Sequence, residues 1–341
     1  MNKAILTVKE TTSGNNAGPK AKVDVETILC KNGFSKINFT INQKSKMQKL
    51  MVSTMKVRNY FKHNHYDEII MQYPTYSDIV TKSLFRTIGK YDTKLVLFIH
   101  DVESLRLHSD DADYIQKEVS LFNKATALIV HNNKMKQWLS DHGVSVHMET
   151  LEIFDYLMPD FESKKKVFDK SICFAGNLQK SDFLTKVNLK EATLTLFGPN
   201  PQDKYGERVT YKGQYTPEEL PKYLNYNFGL VWDGSSVDKC DGIFGSYLKY
   251  NNPHKASLYL ATGLPIIIWS KAALAEFIVH NELGIAINSL NDLDIELAKI
   301  SSEQYDIMQH NVSNISRKLK NGNYTKQVMN RIENYIKEEL I

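Results

Sequence analysis

The sequence predicts an α/β protein of two domains, each a parallel β-sheet covered by helices on both faces. Three observations predict it. Apolar, β-rich runs alternate with longer amphipathic stretches from end to end, as successive βαβ units require. A charged, polar segment at residues 160–170 interrupts that alternation, which then restarts. The chain has 341 residues, too many for one ordinary core and suited to two of roughly 100–200 residues.

In the first half, strands are predicted at Ala4–Val8, Lys36–Phe39, Glu68–Gln72, Lys94–Ile99 and Ala127–Val130. Helices are predicted between them at Ala21–Asn32, Gln43–His63, Ser77–Tyr91, Tyr114–Lys124 and Lys134–His142. The run Leu-Val-Leu-Phe-Ile ending at Ile99 is continuously apolar, which suits a strand buried on both faces. In the second half, strands are predicted at Ser171–Ala175, Thr193–Phe197, Phe228–Trp232, Leu264–Ile268 and Gly284–Ile287. Helices are predicted at Pro217–Leu224, Lys255–Ala261 and Ala272–Asn281, and from Ser302 to the end with a break near Asn321–Asn323. The domains are therefore expected to span residues 1–160 and 161–321, followed by a last helix at about 322–341.

Composition excludes several classes. Forty-three basic side chains against 39 acidic ones give a net charge of +4, so bulk charge does not call for nucleic acid. Cys30, Cys173 and Cys240 are few and far apart, with no zinc spacing and no Cys-x-x-Cys. They read as reduced thiols of a cytoplasmic protein. The first nine residues read as a short strand rather than a signal peptide. No apolar run approaches the roughly 20 residues of a membrane span. A membrane-bound acceptor would have to be met by peripheral contact.

Ligands of open parallel sheets bind outside the carboxyl ends of the strands, so the loops there carry the functional expectations. The first such loop includes Thr12, Ser13, Gly14 and Asn15, whose hydroxyls and backbone N–H groups suit a polar substrate. It lacks the G-x-G-x-x-G spacing of a dinucleotide site. Tyr73 and Thr75 follow the third strand and read either as sugar-holding groups or as a proline turn with packing tyrosines. The fourth strand delivers His100 and Asp101 to its end. Asp101 is either a general base for an acceptor hydroxyl or a loop cap.

In the second half, Gly176 and Asn177 form a turn that allows close backbone approach, and Lys180 could meet a phosphate. The strongest signal runs from Tyr250 to Trp269. Asn252 reads as an N-cap with Pro253 at the first helical position. His254 and Lys255 then fall in the first turn, where a cation is unfavourable unless an anion sits there. That conflict points to a diphosphate. The acidic loop from Asp233 to Gly242 does not match a calcium loop and reads as a mobile surface loop.

Four features in order resemble one family: Phe98-Ile-His-Asp-Val, the Ala175-Gly-Asn turn, Phe228-Gly-Leu-Val-Trp, and Lys255 followed by Ala261-x-Gly-Leu-Pro. Together they resemble GT-B glycosyltransferases. More narrowly they are similar to the glucosyltransferase 3 group that extends glycans on serine-rich-repeat adhesins, and to galactofuranosyltransferase-type enzymes of surface polysaccharide synthesis. The resemblance implies two Rossmann-like domains facing a central cleft, with the last helix crossing back to the N-terminal domain. It implies a UDP-sugar donor held by the C-terminal domain, a glycan or glycopeptide acceptor, and a homo-oligomer, dimer or tetramer. It implies no cofactor and no metal, because helix starts and basic residues neutralise the diphosphate. By motif, Lys255 matches the basic residue of the donor helix and Lys180 a basic position after the Gly-Asn turn. The first loop would line the site.

The expected function is hexosyl transfer from a UDP-sugar to a glycan hydroxyl, such as GlcNAc on an adhesin. UDP-glucose is the first choice of donor, with UDP-galactofuranose and UDP-GlcNAc as alternatives. Domain closure would bring an N-terminal base onto the acceptor. Two rivals remain: a UDP-sugar epimerase that needs no acceptor, and a catalytically silent transferase-like partner subunit.

Overall fold

A computed structural model of the chain describes residues 2–11, 17–160 and 167–338. It divides into two compact units, residues 1–151 with 325–341, and residues 152–324. The first unit holds β1 (Lys3–Glu10), β2 (Ser35–Ile41), β3 (Glu68–Tyr73), β4 (Lys94–Ile99), β5 (Ala127–Val130) and β6 (His147–Thr150). These form one sheet in the order β2-β1-β3-β4-β5-β6, every pair parallel. All of β3 is buried, and so is all of β4 except Lys94. The apolar runs Ile69–Met71 and Leu95–Ile99 suit strands covered on both faces. The winding reverses between β1 and β3, where Ala4 lies opposite both Ser35 and Ile69.

The second unit holds β7 (Ser171–Ala175), β8 (Thr193–Phe197), β9 (Val209–Tyr211), β10 (Phe228–Val231), β11 (Ile266–Trp269) and β12 (Gly284–Ile287). Their order is β12-β11-β10-β7-β8-β9, again parallel throughout. This is the doubly wound nucleotide-binding order, with its reversal between β7 and β10.

Several expectations need correction. The edge strands β6 and β9 were not foreseen. Both are short and partly polar, and an edge strand needs less apolar sequence than a central one. The helix expected at Pro217–Leu224 is a single 3-10 turn, Leu220–Tyr223, and the one expected from Ala272 starts at Ala275. The stretch expected as one helix at Gln43–His63 begins at Lys46, capped by the Ser45 hydroxyl, and passes through a π-helical segment at Val52–Lys56. The division between units falls at Leu151, nearer the N-terminus than the charged segment, of which residues 161–166 lie outside the described residues.

The C-terminal stretch is two helices, Ser302–Lys320 and Asn323–Glu338. From Thr325 onward the chain belongs to the first unit. There Arg331 Nε donates to Glu149 at 2.8 Å and its Nη2 to the Thr150 carbonyl at 2.6 Å. Tyr335 stacks on His147 at 3.9 Å, and Lys3 pairs with Glu333 at 2.6 Å. These contacts hold the helix to edge strand β6 and to the start of β1.

Candidate active site

In the second unit the helix His254–Ala261 is aimed by its own buried face. Tyr259 is fully buried, and its hydroxyl oxygen accepts from Ala175 N–H at 2.7 Å at the end of β7. Gly229 on β10 makes room for that ring: a Cβ there would lie 2.2 Å from it. The helix therefore starts beside the β7–β10 reversal. Its cap is Pro253, with φ −67° and ψ 128°, and no side chain caps the start. Asn252 is not the cap. Its amide donates to the Glu152 carbonyl at 2.9 Å, which holds the approach to the helix instead.

Lys255, in the first turn, reaches across the reversal. Its Nζ lies 2.9 Å from Asp233 Oδ1, 3.3 Å from the Trp232 carbonyl and 4.7 Å from the centre of the Phe174 ring. The cation at a helix start thus has a protein counter-charge, which the sequence did not reveal. The pair is partly exposed, 16% for Lys255 and 21% for Asp233, so an anion can compete with the carboxylate for the ammonium. Gly176 lies beside this pair: a Cβ there would press on the Phe174 ring at 3.3 Å and reach ordinary contact, 3.9 Å, with the Lys255 ammonium. The Asp233–Gly242 loop is tied down rather than loose: Leu290 N–H donates to the Val237 carbonyl and Lys186 Nζ to the Ser235 carbonyl, both at 2.7 Å, and inside the loop the Asp241 carboxylate accepts from Ser235 N–H at 2.5 Å.

The other residues expected here are more peripheral. Asn177 shapes its own turn, its side-chain Oδ1 accepting from Gln179 N–H and Asn200 Nδ2, both at 3.2 Å. Lys180 is exposed, its ammonium 4.3 Å from the Phe244 ring centre. His254 packs by Tyr156 and Phe154, with ring centres 5.0 and 6.1 Å away. The Gly176 turn itself depends on Gly198. That residue has φ +140°, and a Cβ on it would lie 1.8 Å from the Gly176 carbonyl oxygen. Gly198→Ala should therefore destabilise the fold by about 1–3 kcal/mol through forced backbone movement. A urea melt tests this, and an unchanged midpoint would show that the turn yields freely.

In the first unit, polar groups gather at the ends of β3 and β4. His100 Nε2 lies 2.8 Å from Gln72 Oε1. The Gln72 amide nitrogen donates to Thr7 and to the Lys22 carbonyl, which leaves its oxygen to accept from the imidazole N–H. Asp101 Oδ2 is 3.1 Å from Arg106 Nη1, and Glu103 Oε1 is 2.6 Å from Arg106 Nη2. Burial pushes the Glu103 carboxyl up to about 7 despite that arginine, and nearby Asp101 adds to the rise.

Lys22 is the residue the sequence did not single out. It is buried, donates to the Pro74 carbonyl at 2.6 Å, and sits 4.4 Å from the Tyr76 ring centre. Burial lowers its ammonium to about 8, partly offset by Asp101, Glu10 and Glu103. Two expected residues turn inward. The Tyr73 hydroxyl donates to buried Glu118 at 2.6 Å, and the Thr75 hydroxyl is buried 2.5 Å from that of Thr81. Neither presents its hydroxyl to a substrate. Thr12, Ser13, Gly14 and Asn15 lie outside the described residues.

Two doubly wound parallel-sheet units of this kind define the GT-B class of glycosyltransferases. The chain is similar to trehalose-6-phosphate synthase OtsA, with a TM-score of 0.63 over 98% of this chain and 99% of that one at 10% identity. It is also similar to MnaA of S. aureus, solved with UDP, with a TM-score of 0.52 over 98% and 97% at 11% identity. Those likenesses show the fold. The chain belongs to the glucosyltransferase 3-like family, whose N-terminal domain matches residues 3–153 and C-terminal domain residues 172–332. Among its relatives is beta-1,6-galactofuranosyltransferase WbbI of Escherichia coli K12, 34% identical over 73% of this chain and 74% of that protein. Another is glucosyltransferase 3 of Streptococcus gordonii, 27% identical over 93% and 94%. The chain is a glycosyltransferase.

Proposed function

We propose that the chain transfers a hexose from a UDP-sugar to a hydroxyl of a glycan, with UDP-glucose as donor. The observation that carries this reading is Lys255 at an uncapped helix start, beside Gly176, at the β7–β10 reversal of the second unit. An ammonium and backbone N–H groups suit a diphosphate. In the reaction the acceptor oxygen bonds to the anomeric carbon, the bond from that carbon to the phosphate oxygen breaks, and UDP leaves with the electron pair. Lys255 meets the charge that develops on UDP. The acceptor's proton passes to a carboxylate of the first unit, Asp101. A second reading, galactofuranosyl transfer to a surface polysaccharide, is favoured by the higher identity to WbbI.

A donor panel tests both. UDP-glucose, UDP-galactofuranose and UDP-GlcNAc are each incubated with and without a GlcNAc-containing acceptor, and products are read by mass spectrometry. Acceptor plus one hexose supports transfer, and the donor that yields it chooses between the readings. Conversion of a donor sugar without acceptor would favour an epimerase, and no product at all a silent partner subunit.

UDP should bind without a divalent cation. Among the described residues, no group of three or more His, Cys, Asp or Glu side chains is placed to hold a metal. Lys255 and the helix start supply the positive charge instead. Calorimetry with and without EDTA measures this, and binding abolished by EDTA would refute it.

A further inference from the structure

Among the described residues no helix is long and apolar enough to cross a membrane, yet one stretch is built for a membrane surface. From Asn42 to Tyr66 the sequence carries six cations, Lys44, Lys46, Lys49, Lys56, Arg58 and Lys62, and no aspartate or glutamate. The chain as a whole is nearly balanced, with 43 basic and 39 acidic residues, so this stretch is a local excess. It forms the consecutive helical segments Lys46–Met51, Val52–Lys56 and Val57–His63. Val52, Val57 and Phe61 face the core. On the outer side Met47 is 81% exposed, Leu50 53% and Met55 67%. A groove of about 520 Å³ lies between Met55, Lys56, Arg58, Asn59 and Lys62.

We propose that this helical face docks on an anionic lipid surface, with Met47, Leu50 and Met55 entering the headgroup layer and the lysines and Arg58 pairing with lipid phosphates. Exposed unbranched apolar side chains set among cations are the composition of an interfacial amphipathic helix. Charge complementarity selects this occupant. A two-fold contact with a second copy would set the same cations against one another. Nucleic acid would gain nothing from methionine and leucine, and residues 46–62 expose no large aromatic side chain on which a base could stack. The docking is independent of which sugar is transferred.

The test is co-sedimentation of the full chain with vesicles of phosphatidylcholine alone and of phosphatidylcholine mixed with phosphatidylglycerol. Retention is expected on the anionic vesicles only, and it should be lost near about 1 M salt, where surface charge is screened. Combined Lys49→Glu, Lys56→Glu and Arg58→Glu should weaken it about tenfold or more. Combined Met47→Ser, Leu50→Ser and Met55→Ser should also weaken it. Both variants should keep the wild-type melting temperature and turnover on a soluble acceptor, since none of the changed side chains is buried in the core or bonded to Asp101, Glu103 or Lys255. A wild-type chain left in the supernatant with anionic vesicles would overturn the proposal, as would variants that bind like wild type. A drop in particle mass by light scattering in the serine variant would assign the face to a second copy. Tight RNA binding that ignores the serine changes would assign it to nucleic acid. Either result also overturns the proposal.

Discussion

Lys255→Ala is expected to lower turnover by roughly 10²–10³-fold, the usual loss when a preorganised group facing developing charge is removed. UDP affinity should fall by roughly 1–3 kcal/mol, the size of a hydrogen bond to a charged group. Stability should change little. The ammonium contacts Asp233, a backbone carbonyl and one ring face, and its carboxylate partner is 21% exposed, so water can replace the lysine. The competing reading is that Lys255 only neutralises Asp233. It makes the opposite prediction: a lower melting temperature with UDP affinity intact. Calorimetry, kinetics and a thermal melt on one variant separate the two. Unchanged affinity and turnover would remove Lys255 from the site.

The same lysine shows how far a sequence can be read. The strands β4, β5, β7, β8 and β12 fall at the residues expected of them, because each is a short apolar run between turn-forming residues. The helix start near residue 253 was legible from Asn-Pro, but that dipeptide could not say which residue caps it, since the Asn252 amide had a distant carbonyl within reach. Nor could Asp233 be matched to Lys255 across 22 residues, because the pairing exists only once the helix packs on β10, with Tyr259 against Gly229. Lys22 was invisible for a related reason. In sequence it is one lysine in an amphipathic helix, and its burial depends on the Pro74–Tyr76 turn, 52 residues on. Tyr73 failed in the other direction. Its position at the end of a strand suggested ligand contact, yet buried Glu118 takes its hydroxyl. Position along a strand predicts which residues reach the sheet's carboxyl edge, and it does not predict which way their side chains turn.

Asp101→Asn is expected to cut turnover by roughly 10²–10⁴-fold while leaving UDP affinity nearly unchanged, the pattern of a lost general base. Asp101 follows β4, one of the most fully buried strands of its sheet, so its carboxylate stands at the sheet's carboxyl edge. There it lies 3.1 Å from Arg106, with its side chain 20% exposed and still reachable by an acceptor hydroxyl. Arg106 also holds Glu103, so the amide variant keeps the arginine paired and should cost no more than about 1 kcal/mol of stability. Glu103 is the nearest alternative base, because burial brings its carboxyl to about 7. If it takes the proton, Glu103→Gln rather than Asp101→Asn will carry the large loss. The ascending limb of kcat/KM near pH 7, produced as Glu103 ionises, will then vanish in that variant. If Asp101 is the base, Glu103→Gln keeps near-normal turnover at about pH 8 and turnover collapses only in Asp101→Asn. Near-normal turnover in Asp101→Asn with a lowered melting temperature would make the aspartate a tether for Arg106 and nothing more.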